Sequence, residues 1–255
     1  MKTATQSQIL NYIRSKKGAG AREIIKQTGK YPTGIFRHLK NLLAANKIYK
    51  IGNMPRARYY AFVENTNMTS ENLAKAINWA ATGDSNLVTP DILCQTRDVF
   101  QARADHLAKD LKRIIKDDDL IYLLIAAADE IGNNSFDHNI GRWQDVPGVF
   151  FQMKEGEREM IFADRGQGVL ATISGVRPDI KGSADALRVA FTEIISGRAP
   201  EKRGNGLKLV KKIIVENNLY LEFYSGNAKA VIETPDLRIE KSEINITGTV
   251  VYLKF

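Results

Sequence analysis

Glu23 is the only acidic residue among the first 63 positions, where it faces 13 lysines and arginines. That stretch carries +12, and because the whole chain carries +8, the remainder carries 8 − 12 = −4. A charge break this sharp argues for two separately folded units, and a chain of 255 residues has the length for both. A concentrated basic surface suits a phosphate-bearing partner, the bland alternative being a solvated face with no partner at all. The N-terminus lacks the apolar core of a secretory leader, and no stretch approaches the roughly 20 apolar residues that span a bilayer. A cytoplasmic protein with no membrane partner is therefore expected. Cys94 is the only cysteine, so its expected role is packing.

The basic stretch reads as three helices and a hairpin. Ile9, Leu10 and Ile13 fit a first amphipathic helix, and Gly18-Ala19-Gly20 separates it from the short helix AREIIKQTG. After Tyr31-Pro32, Thr33 is placed to cap a third helix whose Ile35, Phe36, Leu39, Leu42 and Leu43 form a stripe facing the core. The opposite side carries Thr33, Arg37 and Lys40, types that suit phosphates and base edges. Ile48 to Ile51 and Tyr59 to Val63 then read as a hairpin around a basic tip with Arg56 and Arg58. Over residues 5–63 this order resembles the winged helix-turn-helix family. The resemblance implies DNA as a partner, the helix after Thr33 as the reading helix, and Arg56 and Arg58 on the wing. Members of that family also serve as protein-interaction modules.

Residues 1–64 are therefore expected to form the basic domain, 65–95 a helical linker and 96–255 a second domain. A short helix is expected from Ser70 to Ala81, ending at Gly83. Thr89-Pro90-Asp91 has the order of cap, first-turn proline and first-turn acid that opens a helix. An apolar stripe from Ile92 through Val99, Phe100, Leu107 and Leu111 would continue it to about Lys116. That stripe could serve a homodimer or pack on its own domain.

Three short stretches carry the chemistry. From Asp117, an apolar helix turns polar on one side, with Glu130, Asn134 and His138 at i, i+4 and i+8. An amide oxygen such as that of Asn134 suits a hard cation, and a carboxylate one turn earlier suits proton transfer; a solvated helix end is the alternative. Next, strands Val149 to Met153 and Met160 to Ala163 run into Asp164-Arg165-Gly166-Gln167-Gly168. An aspartate at a strand end can accept from an adenine amino group, while a plain hairpin exit would look the same. Last, Lys202-Arg203-Gly204-Asn205-Gly206-Leu207 opens a helix whose free N–H groups and positive end can cradle phosphates. The spacing matches neither the Walker loop nor the dinucleotide fingerprint.

The order E-x-x-x-N, D-x-G-x-G, then G-x-G-L before a helix, closing on Gly248-Thr249 and a strand from Val250, resembles the GHKL (Bergerat-fold) ATP-binding superfamily over residues 96–255. Anti-sigma-factor and histidine-kinase ATPase domains are nearest in size. The resemblance implies an α+β protein whose second domain is a two-layer α/β sandwich with a mixed, largely antiparallel sheet. It implies ATP and Mg²⁺ as cofactors, Glu130 as general base and Asn134 as Mg²⁺ ligand. Asp164 would read adenine, with Gly166 and Gly168 on the base side. Asp137, His138 and Thr249 would lie along the nucleotide, and Lys202, Arg203, Gly204, Asn205, Gly206 and Leu207 along its phosphates. A lid would span Val169 to Arg203, with a helix around Ala184 to Ile195.

His106 has the only placement for a phosphoacceptor histidine, but its surroundings lack the usual proline or paired acids. The expected function is an ATP-dependent, DNA-binding transcriptional regulator with ATPase or protein kinase activity. The alternative is an anti-sigma-type serine/threonine kinase, or a histidine-kinase-like protein, acting on a protein partner or phosphoacceptor bound by the winged helix.

Overall fold

The computed structural model describes residues 2–16, 18–44, 47–51, 54–55, 57–61, 70–193 and 206–255. These fall into two compact units, Met1–Asn78 and Trp79–Phe255, each mixed α and β with antiparallel pairing.

In the first unit the order is α1 (Lys2–Ser15), β1 (Ala19–Gly20), α2 (Ala21–Thr28), α3 (Pro32–Ala44), β2 (Ile48–Ile51) and β3 (Arg58–Ala61). β3 lies between β1 and β2, antiparallel to both. The apolar stripes read from sequence meet here: Ile9, Ile13, Ile24, Ile35 and Ile48 are fully buried with Leu39 beside them. Each such side chain taken from water is worth about 1.5–3 kcal/mol, which is what holds three short helices and a small sheet together. α2 stops where Gly29 turns left-handed and returns its N–H to the carbonyl of Ile25. Two local expectations are corrected. α3 begins at Pro32, not after a Thr33 cap, because the Tyr31 carbonyl takes the N–H groups of Gly34 and Ile35 and the proline needs no donor of its own. Phe36 is 38% exposed and falls outside the core stripe formed by Ile35, Leu39 and Leu42.

α4 (Glu71–Thr82) ends, as expected, at Gly83, whose N–H returns to the Trp79 carbonyl. The next segment departs from the sequence reading. Thr89-Pro90-Asp91 forms a turn, and Leu93–Cys94 form β4, inside the stretch expected to be a helical linker. α5 starts only at Arg97, where the Thr96 hydroxyl accepts from Val99 N–H. Sheet pairing outweighs local helix signals here: Leu93 and Cys94 register with Phe150 and Val149, and the Arg103 guanidinium holds the turn by the carbonyls of Pro90 and Asp91.

α5 (Arg97–Leu111) and α6 (Asp118–Asn139) are followed by β5 (Val149–Lys154), β6 (Glu159–Asp164), α7 (Gly168–Ser174), α8 (Ser183–Thr192), α9 (Gly206–Glu216), β7 (Tyr220–Glu233) and β8 (Asp236–Lys254). The sheet runs β4-β5-β6-β8-β7, and every described pair is antiparallel. The expectation of a mixed sheet is thus corrected. β6 and β7, joined through three helices, do run the same way, but β8 sits between them and pairs antiparallel with each. Leu124, Ala127, Ala128 and Ile131 of α6 and Val210, Ile213 and Ile214 of α9 pack on Phe151, Phe162, Phe223, Val251 and Leu253 of the sheet. That packing fixes α6 and the start of α9 relative to the end of β6. Among the described residues no helix is long and apolar enough to cross a membrane.

Candidate functional site

α6 is capped by Asp117, whose carboxylate accepts from Leu120 N–H at 3.1 Å. Helical periodicity then turns its apolar residues into the core and leaves two polar stripes side by side. On one, Asn134 Nδ2 donates to Glu130 Oε1 at 2.8 Å, a bond that leaves the amide oxygen available to another partner. On the other, Ser135 and Asn139, also one turn apart, point their side chains at Asp164.

Asp164 ends β6 between Val149 and Thr249 and is 1% exposed. Its Oδ1 accepts from Asn139 Nδ2 at 3.2 Å and Gly166 N–H at 2.9 Å, and its Oδ2 from Ser135 Oγ at 3.0 Å and Thr249 Oγ1 at 2.5 Å. A carboxylate has about four lone-pair positions, so these four donors saturate it. Burial pushes its pKa above the ordinary aspartate value, while the bonds from Thr249, Gly166, Ser135 and Asn139 pull the other way. Gly248 makes the arrangement possible: its φ is +78°, and a Cβ there would stand 2.3 Å from the Asp164 carbonyl oxygen. Asn139 completes the frame by accepting Gln167 N–H at 2.9 Å, and Gln167 Nε2 donates to the His138 carbonyl at 2.9 Å.

Glu130 meets the third stretch. A Cβ on Gly206 would lie 1.6 Å from Glu130 Oε1, so any larger residue there would have to push the carboxylate aside. An acidic group is thereby held at the positive end of a helix, with Leu207 in the same first turn. Gly168 opens α7, and the N–H of Val169 donates to Ser225 Oγ at 3.0 Å.

The three separated stretches are therefore neighbours: Glu130 with Asn134, Asp164 with its four donors, and the start of α9 at Gly206. Lys202, Arg203, Gly204 and Asn205 lie outside the described residues, as does the part of the expected lid from 194 to 203; α7 and α8 occupy its described part. Asp137 is engaged by Arg97 of α5, whose guanidinium also sits 6.0 Å from the Phe136 ring centroid. His106 is exposed on α5.

Sequence reasoning missed Asn139, Ser225 and above all Arg165. The Ser135–Asn139 spacing of four, beginning directly after Asn134, was the signal for the first. Arg165 follows the saturated aspartate directly, yet its side chain, only 7% exposed, turns away to hold both Asp145 oxygens and the Trp79 and Ala80 carbonyls at the end of α4. A cation is favoured at a helix C-terminus, where the carbonyl ends of the peptide dipoles gather. The hydrogen bonds from Arg165 hold the Asp145 carboxyl below its ordinary pKa.

In the first unit Thr33, Arg37 and Lys40 are exposed along α3, opposite its buried stripe. Arg58, expected at the wing, is tied to its own unit: it donates to the Gly18 carbonyl at 2.9 Å and pairs with Glu23 at 3.4 Å. Arg56 lies outside the described residues.

Among the described residues no cluster of three or more histidine, cysteine, aspartate or glutamate side chains could hold a metal unaided. Magnesium fits a different donor set, one or two protein oxygens completed by water and phosphate oxygens, and the Glu130–Asn134 pair is of that kind. No protein-family model, curated protein or solved structure matches the chain.

Proposed function

We propose that Trp79–Phe255 is an ATP-binding unit of the GHKL (Bergerat) type and that Met1–Asn78 is a winged-helix DNA-binding unit, together a nucleotide-controlled transcriptional regulator. One observation carries the first half. Residues 130–139, 164–168 and 206–207, separated by tens of positions in the chain, line one place, with a carboxylate–amide pair at one end and a buried aspartate at the other.

On this reading Asp164 accepts the adenine amino group. Because all four of its lone pairs are engaged, one hydroxyl, of Ser135 or Thr249, must turn aside first, and a hydroxyl can do so by rotating a single bond. The first turn of α9, opening on Gly206 and Leu207, presents N–H groups to phosphate. Asn134 would hold Mg²⁺ by its amide oxygen, and the ion would supply charge neutralisation across the phosphates. Glu130, already aligned by its bond to Asn134, takes up the proton of an attacking water or acceptor hydroxyl. The order α1-β1-α2-α3-β2-β3, the antiparallel three-stranded sheet and the exposed Thr33, Arg37 and Lys40 support the second half, with the +12 charge of residues 1–63 supplying attraction to phosphates.

Calorimetry with ATP and Mg²⁺ tests the nucleotide reading. The wild-type chain is expected to bind, and Asp164→Asn to weaken binding at least about tenfold, or about 1.4 kcal/mol. Equal affinity in the two proteins would refute the assigned pocket.

A further inference from the structure

We infer that Arg165 couples the nucleotide site to α4, so that occupancy at Asp164 steadies a helix that begins in the first unit; the inference rests on the proposed ATP binding. The boundary between the two units falls inside α4, between Asn78 and Trp79. Whatever fixes the last turn of α4 therefore acts on a helix continuous with Met1–Asn78. That last turn is held by a residue next to the proposed adenine reader. Arg165 Nη1 donates to the carbonyl of Trp79 at 3.0 Å and to that of Ala80. Its Nε and Nη2 donate to the two Asp145 oxygens at 2.8 and 2.5 Å. Gly83, where α4 ends, has a φ of +70°, and a Cβ there would stand 3.0 Å from Arg165 Nη2. The chain leaving α4 is thus seated directly against the guanidinium.

The backbone of Arg165 is held as well as its side chain. Asp164 Oδ1 accepts from Gly166 N–H at 2.9 Å, which closes a turn around Arg165, and the Arg165 carbonyl accepts from Gln144 N–H at 3.3 Å. With a side chain only 7% exposed, Arg165 is a strut pinned at both ends. A buried guanidinium does not give up half of its partners cheaply, because an unmet charged donor costs more than a neutral one. Opening of the end of α4 and loosening of the turn at 164–166 are therefore one local event. A nucleotide that needs Asp164 in place binds only the closed form, and a ligand that binds one form stabilises that form. The end of α4 should then open less often when ATP is bound.

Hydrogen–deuterium exchange of the full chain, read at single amides by nuclear magnetic resonance with calorimetry on the same sample, provides the test. The Gly83 N–H, which donates to the Trp79 carbonyl at 2.8 Å, reports the end of α4. The Lys112 N–H, which donates to the Ala108 carbonyl at 3.1 Å, reports the end of α5, where Arg165 makes no hydrogen bond among the described residues. Saturating ATP with Mg²⁺ is expected to slow exchange at Gly83 at least about fivefold, the low end of ordinary coupling between sites, and to leave Lys112 unchanged. Arg165→Lys keeps the charge but not the fork of donors, so it should still bind ATP while the effect at Gly83 falls below about twofold. Should that variant fold poorly, Asp145→Asn, which weakens the hold on the same guanidinium, should reduce the effect in the same direction. A merely structural arginine would change exchange equally with and without ATP. Absence of ATP binding to the wild-type chain would overturn the nucleotide reading and the coupling together. Binding with Gly83 unaffected, equal slowing at Gly83 and Lys112, or a full effect in the folded variant would overturn the coupling alone.

Discussion

The arginines of the two units meet opposite fates. In Trp79–Phe255 many of the described ones are matched by acids of the same unit: Arg97 by Asp137, Arg113 by Glu155, Arg165 by Asp145, Arg177 by Asp179 and Glu193, and Arg188 by Asp185. Over residues 1–63 a single acid faces the excess, and Glu23 is already taken by Arg58. The contrast separates charge that is spent on the fold from charge that the fold leaves unmatched. Cations balanced internally shape a surface that neither attracts nor repels strongly, whereas an unbalanced face on an exposed helix draws phosphates from a distance.

The largest effect should come from the most internal of these charges. Arg165→Ala removes a buried cation with two charged bonds and two helix-end carbonyls, and unfolding in urea should show a loss of about 2–3 kcal/mol. Arg188→Ala, which breaks an exposed single-contact pair within one helix, should change stability by no more than about 0.5 kcal/mol. Equal losses would erase the distinction between buried and surface pairing in this unit. The next effect concerns the unmatched face. Replacing Arg37 and Lys40 by alanine together should weaken binding to duplex DNA by about tenfold or more at low salt and reduce the log–log salt slope by nearly 2, about 0.9 per lost phosphate contact. A slope that does not change would mean that α3 meets no phosphate.

The smallest effect sharpens the comparison at its deepest anion, which has neutral donors where the arginine pairs have charge. Asp164 keeps its proton to a higher pH in the folded chain than in the unfolded one. Above the ordinary aspartate pKa the unfolded state therefore releases a proton that the folded state retains. Stability must fall as pH rises from near 4 through the raised value, by at most about 1.4 kcal/mol per pH unit, and level off beyond it. Asp164→Asn removes this dependence, so the difference between the two proteins in urea midpoints should slope downward over that window. A flat difference would show that the four donors offset burial completely.

Much of this architecture was legible from residue patterns. The apolar and polar stripes of α6, the strand pair leading to Asp164 and the glycine-opened α9 all lie where local periodicity and glycine spacing put them, since each is settled by neighbours a few positions away. Other features were settled at longer range. The Thr89-Pro90-Asp91 signal is as good for a turn as for a helix, and the edge of β5 decided between them. Whether β6 has a parallel neighbour depends on β8, 85 positions away at the Asp164–Thr249 pair. Arg165 reads in sequence as a spacer between Asp164 and Gly166; only the folded chain brings Asp145 and the end of α4 to its guanidinium. Arg58 was placed at the wing by the hairpin pattern and the family resemblance, which give no hint that Gly18 and Glu23 would claim it.

The four hydrogen bonds at Asp164 make the resting pocket its own competitor. An incoming amino group does not fill an empty position; it must outbid a hydroxyl that the chain already supplies at high effective concentration. Weak or poorly aligned donors lose that contest, so on the proposed nucleotide reading discrimination among purines would begin before any ligand arrives. The same contest also sets a ceiling on affinity that removing one rival hydroxyl would lift.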